Sequence, residues 1–160
     1  MIEKTCCFTG HRVIEPGKIP LIKRELEKEI VLLIKSGYLY FETGGALGFD
    51  MIAAQTVLSL REKYAQIKLV LVLPCLSQTE RWNASNKAIY EEIKKKADDI
   101  IYTSQEYNRG CMHKRNRYLI ESSSICIAYL IKDFGGTVYT VKYAKNKGKA
   151  IINIAESILV

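Results

Sequence analysis

Short apolar runs alternate along the chain with longer stretches in which apolar residues recur every three or four positions. The runs are Thr5-Cys6-Cys7-Phe8, Tyr38-Leu39-Tyr40-Phe41, Lys68 to Leu73, Asp99-Ile100-Ile101-Tyr102, Ser124 to Ile131 and Ala150-Ile151-Ile152-Asn153. Their length and content predict six strands. Between the first two, Ile22, Leu26, Ile30, Leu33 and Ile34 form one stripe of a helix over Ile19 to Ser36, started near Pro20 and stopped by Gly37. The same spacing predicts helices through Met51, Ala54 and Leu58, through Ile89, Ile93 and Ala97, from Cys111 to Leu119, and through Val141 and Ala144. Ile154 to Val160 carries no pattern that assigns it.

A strand as continuously apolar as Lys68 to Leu73 is covered on both faces, the mark of a parallel sheet between helices, because a half-exposed strand would alternate polar and apolar residues. Six strands alternating with five helices predict an α/β fold. The expected form is a doubly wound parallel sheet, Rossmann-like and three-layered (α/β/α), with strand order 3-2-1-4-5-6. No linker rich in Pro, Gly or Ser breaks the 160 residues, so one domain over 1–160 is expected. Right-handed crossovers then bring the loops after the strands to one carboxyl edge, where ligands bind in such folds.

Those loops hold the candidate chemistry. Between the second strand and its helix stand Gly44, Gly45 and Gly48, followed by Asp50. Glycines there remove Cβ atoms that keep ligands off the backbone, and the helix start offers free N–H groups and a positive dipole end, which suit a phosphate. The structural alternative is a tight turn whose Asp50 caps the dipole. The first strand runs into Thr9-Gly10-His11-Arg12, and Gly135-Gly136-Thr137 repeats the glycine device ahead of the last helix. His113, Lys114, Arg115 and Arg117 lie near the start of the helix from Cys111, where cations oppose the dipole and a bound anion would offset the cost. Cys75 to Asn86, with Gln78, Arg81 and Trp82, is long enough for a lid. Its indole either stacks on a base or packs against the fold. The expected ligand-binding set is Gly10, His11, Arg12, Gly44, Gly45, Asp50, Arg115, Gly136, Gly135 and Thr137.

The dinucleotide fingerprint G-x-G-x-x-G does not follow the first strand, which disfavours a nicotinamide dehydrogenase, and no cofactor is expected. Cys111 and His113 have no second ligand pair at metal-binding spacing, so no metal is expected either. Five cysteines, an odd number, lie partly inside strand-like runs and read as free thiols of a cytoplasmic protein. No signal peptide or membrane-spanning run is visible. The net charge of +7 favours anionic partners, although much of it sits on helix faces such as Lys94-Lys95-Lys96.

Thr9-Gly10-His11-Arg12, Gly44-Gly45-Ala46-x-Gly48-x-Asp50 and Gly135-Gly136-Thr137 together resemble the SLOG superfamily, most closely its YpsA-like branch, over nearly the whole chain. Gly44 to Asp50 is similar to the S-G-x-A-x-G-I-D turn of DNA-processing protein A. Met112-His113-Lys114-Arg115-Asn116 is similar to the M-H-x-R-K of the Lonely Guy phosphoribohydrolases, and Gly135-Gly136-Thr137 to their P-G-G-x-G-T-x-x-E. Here Thr140 or Lys142 stands where that catalytic glutamate would be. The resemblance implies binding, or sensing, of a nucleotide or nucleotide-derived ligand, with Arg115 as a phosphate or ribose partner. It also implies two alternatives, an N-glycosidic phosphoribohydrolase and a single-stranded nucleic-acid binder, and a homo-oligomer. Helical geometry places Arg115 on the inward stripe with Met112 and Leu119, and Lys114 and Arg117 toward solvent. Its partner there is an anion, or else Asp50 or Glu121.

Overall fold

The computed structural model describes residues 1–158. Six parallel strands form one sheet: β1 (Thr5–Gly10), β2 (Tyr40–Thr43), β3 (Lys68–Leu73), β4 (Asp99–Tyr102), β5 (Ile125–Tyr129) and β6 (Ala150–Asn153). The connecting helices are α1 (Ile19–Lys35), α2 (Phe49–Lys63), α3 (Ala84–Lys96), α4 (Cys111–Glu121) and α5 (Gly136–Asn146), and the short α6 (Ala155–Ile158) follows β6. The last two residues of the expected unassigned tail, 159 and 160, lie outside the described residues.

The doubly wound, three-layer Rossmann-like fold is present, but its strand order is β4-β3-β2-β1-β5-β6 rather than 3-2-1-4-5-6. The chain adds β2, β3 and β4 outward on one side of β1 and then returns through α4 to place β5 beside β1. The reversal therefore comes one strand later than expected. The reason is visible in burial. Asp99-Ile100-Ile101-Tyr102 has no fully buried residue and suits an edge, whereas Cys126, Ile127, Ala128 and Tyr129 of β5 are buried and suit the centre.

Alternate residues of each strand feed two cores. Cys6, Phe8, Leu69, Leu71 and Leu73 pack with α1, α2 and α3, and Cys7, Val70, Val72 and Cys126 pack with Leu119 and Ile120 of α4 and Ala144 of α5. All five expected α1 residues are buried. Gly37, at φ +99°, ends the helix with Gly37 N–H donating to Ile34 O and Tyr38 N–H to Leu33 O. In α2 the buried face is rotated from expectation: Phe49, Ile52, Ala53 and Val57 are inside, while Met51 and Leu58 are half-buried. In α3 Tyr90 joins Ile93 in the core, and Ile89 and Ala97 lie at its margin. The five cysteines are free and buried. No described helix is long and apolar enough to cross a membrane.

Candidate functional site

At the carboxyl edge β1 ends on Gly10, where any Cβ would overlap the Phe49 ring, so only glycine lets α2 pack this close. His11 follows and is held from three sides. Its carbonyl accepts the Phe49 N–H at 3.1 Å, its Nε2 accepts the Ile131 N–H at 3.0 Å, and its ring meets Tyr129 edge-on. Burial, and then the nearby Lys132 charge, lower its pKa, so the imidazole is neutral with its proton on Nδ1. His11 thus ties the β1 and β5 loops together and adds no positive charge to the site. Arg12 is exposed, with Nη2 3.8 Å from Met112 Sδ.

The turn from β2 to α2 is filled by protein. A Cβ on Gly44 would stand 2.5 Å from Arg115 Nη1, one on Gly45 2.6 Å from a Leu73 methyl, and one on Gly48 would overlap the Arg12 carbonyl. Asp50, in the first turn of α2, accepts the Ala46 N–H at 3.2 Å. The carboxylate stands at the positive end of the helix dipole, as the structural alternative expects, but the Ala46 N–H lies ahead of the helix, so the bond braces the turn and no helix N–H is capped by a side chain. Burial pushes the Asp50 carboxyl up, against the lowering influence first of Arg115 and then of the Ala46 N–H and Arg12.

Helix α4 carries Arg115 on its buried side, 3% exposed, while Lys114 is exposed. Arg117 is half-buried and donates to Tyr139 Oη at 3.0 Å, so it packs along α5 instead of extending into solvent. The Arg115 guanidinium donates through Nη1 to Gly44 O and through Nε to Asn116 Oδ1 at 2.8 Å. Among the described residues no carboxylate oxygen lies within 4.0 Å of it. Glu121 instead accepts from Tyr143 Oη. Burial lowers the Arg115 pKa, opposed by the Asp50 charge. Its Nη2 lies 3.9 Å from Met112 Sδ, and a buried guanidinium bonded only to neutral acceptors is costly unless an anion completes its set.

The turn from β5 to α5 is open. Gly135 precedes the helix at φ +101°, no side chain caps the helix start, and the first turn holds no acid. A Cβ on Gly135 would meet nothing within 4 Å, and one on Gly136 would only touch Asn116 Nδ2 at 4.0 Å. Thr140 donates to Gly136 O and is buried, and Lys142 is exposed, so neither supplies acid chemistry at the place of a catalytic glutamate.

These elements enclose a cavity of about 230 Å³. Gly10, His11, Arg12, Asp50, Arg115, Gly136 and Thr137 of the expected set line it, with Asn116 and Met112. Gly44 and Gly45 lie behind Arg115, Gln78 and Leu73, and Gly135 sits on the exposed approach to α5. Cys111 is buried and His113 exposed, on different faces of α4. Asn116 was not expected in the site, although its spacing one residue beyond Arg115 in the Met112 to Asn116 motif pointed to it. A second unexpected group is Glu42, inside the apolar β2 run. Burial pushes its carboxyl up to about 7, against hydrogen bonding from Ser122.

Residues 6–155 match the YspA SLOG family. The chain is 33% identical over 153 residues to the UPF0398 protein of Bacillus pumilus, covering 89% of this chain and 82% of that one. It is 29% identical over 156 residues to a UPF0398 protein of Bacillus cereus, covering 91% and 85%. Among solved structures, DNA processing protein A of Helicobacter pylori, described for its single-stranded DNA binding mode, superposes with a TM-score of 0.66 at 19% identity. That likeness covers 94% of this chain but 64% of the Helicobacter protein, so this chain spans less than two thirds of it. The molybdenum cofactor binding protein of Rippkaea orientalis superposes with a TM-score of 0.61 at 20% identity, over 99% and 83%. At such identities the likeness is one of fold.

Proposed function

This chain belongs to the YspA SLOG family, and we propose that it binds the phosphate of a nucleotide or nucleotide-derived ligand in the cavity beside β1. The observation that carries this reading is Arg115, a buried guanidinium at the cavity wall whose hydrogen-bond acceptors are all neutral. It works with the uncapped start of α5, whose backbone N–H groups and dipole favour an anion at Gly136 and Thr137. Asp50, which also lines the cavity, accepts hydrogen bonds and repels phosphate, so it turns the ligand's hydroxyls toward α2 and its anion toward α5. Calorimetry against ribose 5-phosphate, nucleoside monophosphates and ADP-ribose tests this. Saturable binding that Arg115→Ala abolishes is expected, and no heat from any of them at millimolar concentration would overturn it.

A second reading rests on a different surface. His113 and Tyr139 pack with ring centroids 4.0 Å apart, Arg117 donates to Tyr139, Tyr143 stacks on Tyr139, and Lys147 lies 5.5 Å from the Tyr143 ring. Aromatic rings interleaved with cations are what single-stranded nucleic acid uses. Labelled oligonucleotide binding that weakens with salt and with Tyr139→Ala supports this reading, and salt-independent binding contradicts it.

A further inference from the structure

A second cavity, of about 360 Å³, adjoins the anion pocket and shares Arg12 and Met112 with it. Its other walls come from the loops after β3 and β4: Gln78, Arg81 and Trp82 from one, Tyr107 from the other. The two loops are tied by the Leu76 N–H donating to Gln105 O at 3.1 Å, so they present these side chains as one frame. Tyr107 is 69% exposed, so its ring is free to meet a ligand. Trp82 is half-buried, and its edge-on contact with Tyr90, at 86°, covers at most one of its two faces. Gln78 supplies the polar element. Its Nε2 donates to Gly45 O and Tyr90 Oη at 3.4 Å each, while its Oε1 is buried without a donor. A buried acceptor without a donor is expensive, and an N–H from outside the chain would satisfy it.

Resting on the anion reading above, we propose that this second cavity is a base subsite: a planar nitrogen heterocycle lies against Trp82 and Tyr107, with an N–H edge turned to Gln78, when the ligand's phosphate is at Arg115 and α5. The inner cavity, at about 230 Å³, has no aromatic ring besides His11 and His113 of loop and helix and Phe8 of the core, so the base is carried by the outer one. Arg12, lining both cavities, sits beside the sugar.

The chain's single tryptophan makes the test direct. Ribose 5-phosphate and the four common nucleoside 5′-monophosphates are titrated by calorimetry and by Trp82 emission. At least one nucleotide is expected to bind about tenfold or more tighter than ribose 5-phosphate and to change Trp82 emission, which ribose 5-phosphate leaves unchanged. Tyr107→Ala, at an exposed position that leaves the fold intact, removes most of that advantage without altering ribose 5-phosphate binding. Equal affinities for nucleotides and ribose 5-phosphate, with unchanged emission, overturn the base subsite and leave the anion site standing. Binding of neither class overturns both.

Discussion

The two glycine turns start from the same local ingredients, a strand, glycines at positive φ and a helix start, and they end in different states. The Gly44–Gly48 turn is occupied by protein: Arg115 lies against Gly44, the Arg12 backbone against Gly48, and Asp50 places its own carboxylate at the helix end. The Gly135–Thr137 turn has open space around its glycines and no acid or cap at its helix end. The same glycine device therefore leaves room for an anion, as proposed for the second turn, where the helix brings no carboxylate of its own and no neighbour claims the space the missing Cβ leaves. In the first turn glycine serves close packing, and in the second it serves access.

The largest expected effect comes from placing one methyl in each turn. Gly48→Ala combines a positive φ of +76° with overlap on the Arg12 backbone and should destabilise the fold by ~3–5 kcal/mol. Gly135→Ala, strained at φ +101° but free of contacts, should cost only ~1–3 kcal/mol, and denaturant titration of the two variants should separate them. Equal losses would break the contrast. Next, Arg115→Ala should weaken phosphate-ligand binding by ~2–5 kcal/mol while Lys114→Ala leaves it unchanged, both read by calorimetry on variants shown to be folded.

Glu42 sharpens the picture of the first turn as part of a sealed frame, because it links β2 to the end of α4. Ser122 Oγ lies 2.5 Å from Glu42 Oε1 and 2.7 Å from Tyr118 O. A hydroxyl has one hydrogen, so a protonated Glu42 lets both bonds form. Its folded pKa, about 7, stands above the ordinary carboxyl value, so the folded state holds the extra proton. The stability contributed by that proton is full below pH ~4.5 and is lost as pH rises through about 7. Glu42→Gln should therefore stabilise the protein relative to the parent at pH 8 by ~2–3 kcal/mol, and the gain should vanish near pH 4.5. A gain that is the same at both pH values would contradict the burial of a protonated carboxyl. The smallest effect concerns Asp50→Asn, which keeps an acceptor for the Ala46 N–H but removes a negative wall. Inorganic phosphate should bind tighter by ~1 kcal/mol, again by calorimetry.

The strands and helices were legible because their periods are local. The α1 stripe from Ile22 to Ile34 and the apolar run of β3 both lie where the pattern puts them. Strand order was harder, since the side on which α4 returns the chain depends on how much burial each strand tolerates. The polar Asp99 and half-exposed Tyr102 of β4 were the available sign of an edge. In the site, residue types were visible and their tasks were not. Nothing local to Gly44 says that Arg115, 71 positions away, will lie against it, and nothing local to His11 says that Ile131 will take its Nε2. Glu42 gave no signal in the sequence, and Gln78 stood out only as a polar residue of the loop after β3, because a buried polar group acquires its meaning from partners that only folding supplies.

The most direct test of the contrast between the turns follows backbone amides by ¹⁵N-edited NMR while a nucleoside monophosphate is titrated into the ¹⁵N-labelled protein. Saturable shifts are expected at Gly136 and Thr137, at the open start of α5, with the amides of Gly44, Gly45 and Gly48 little moved. Shifts concentrated at Gly44 to Gly48, with Gly136 and Thr137 unchanged, would contradict that contrast.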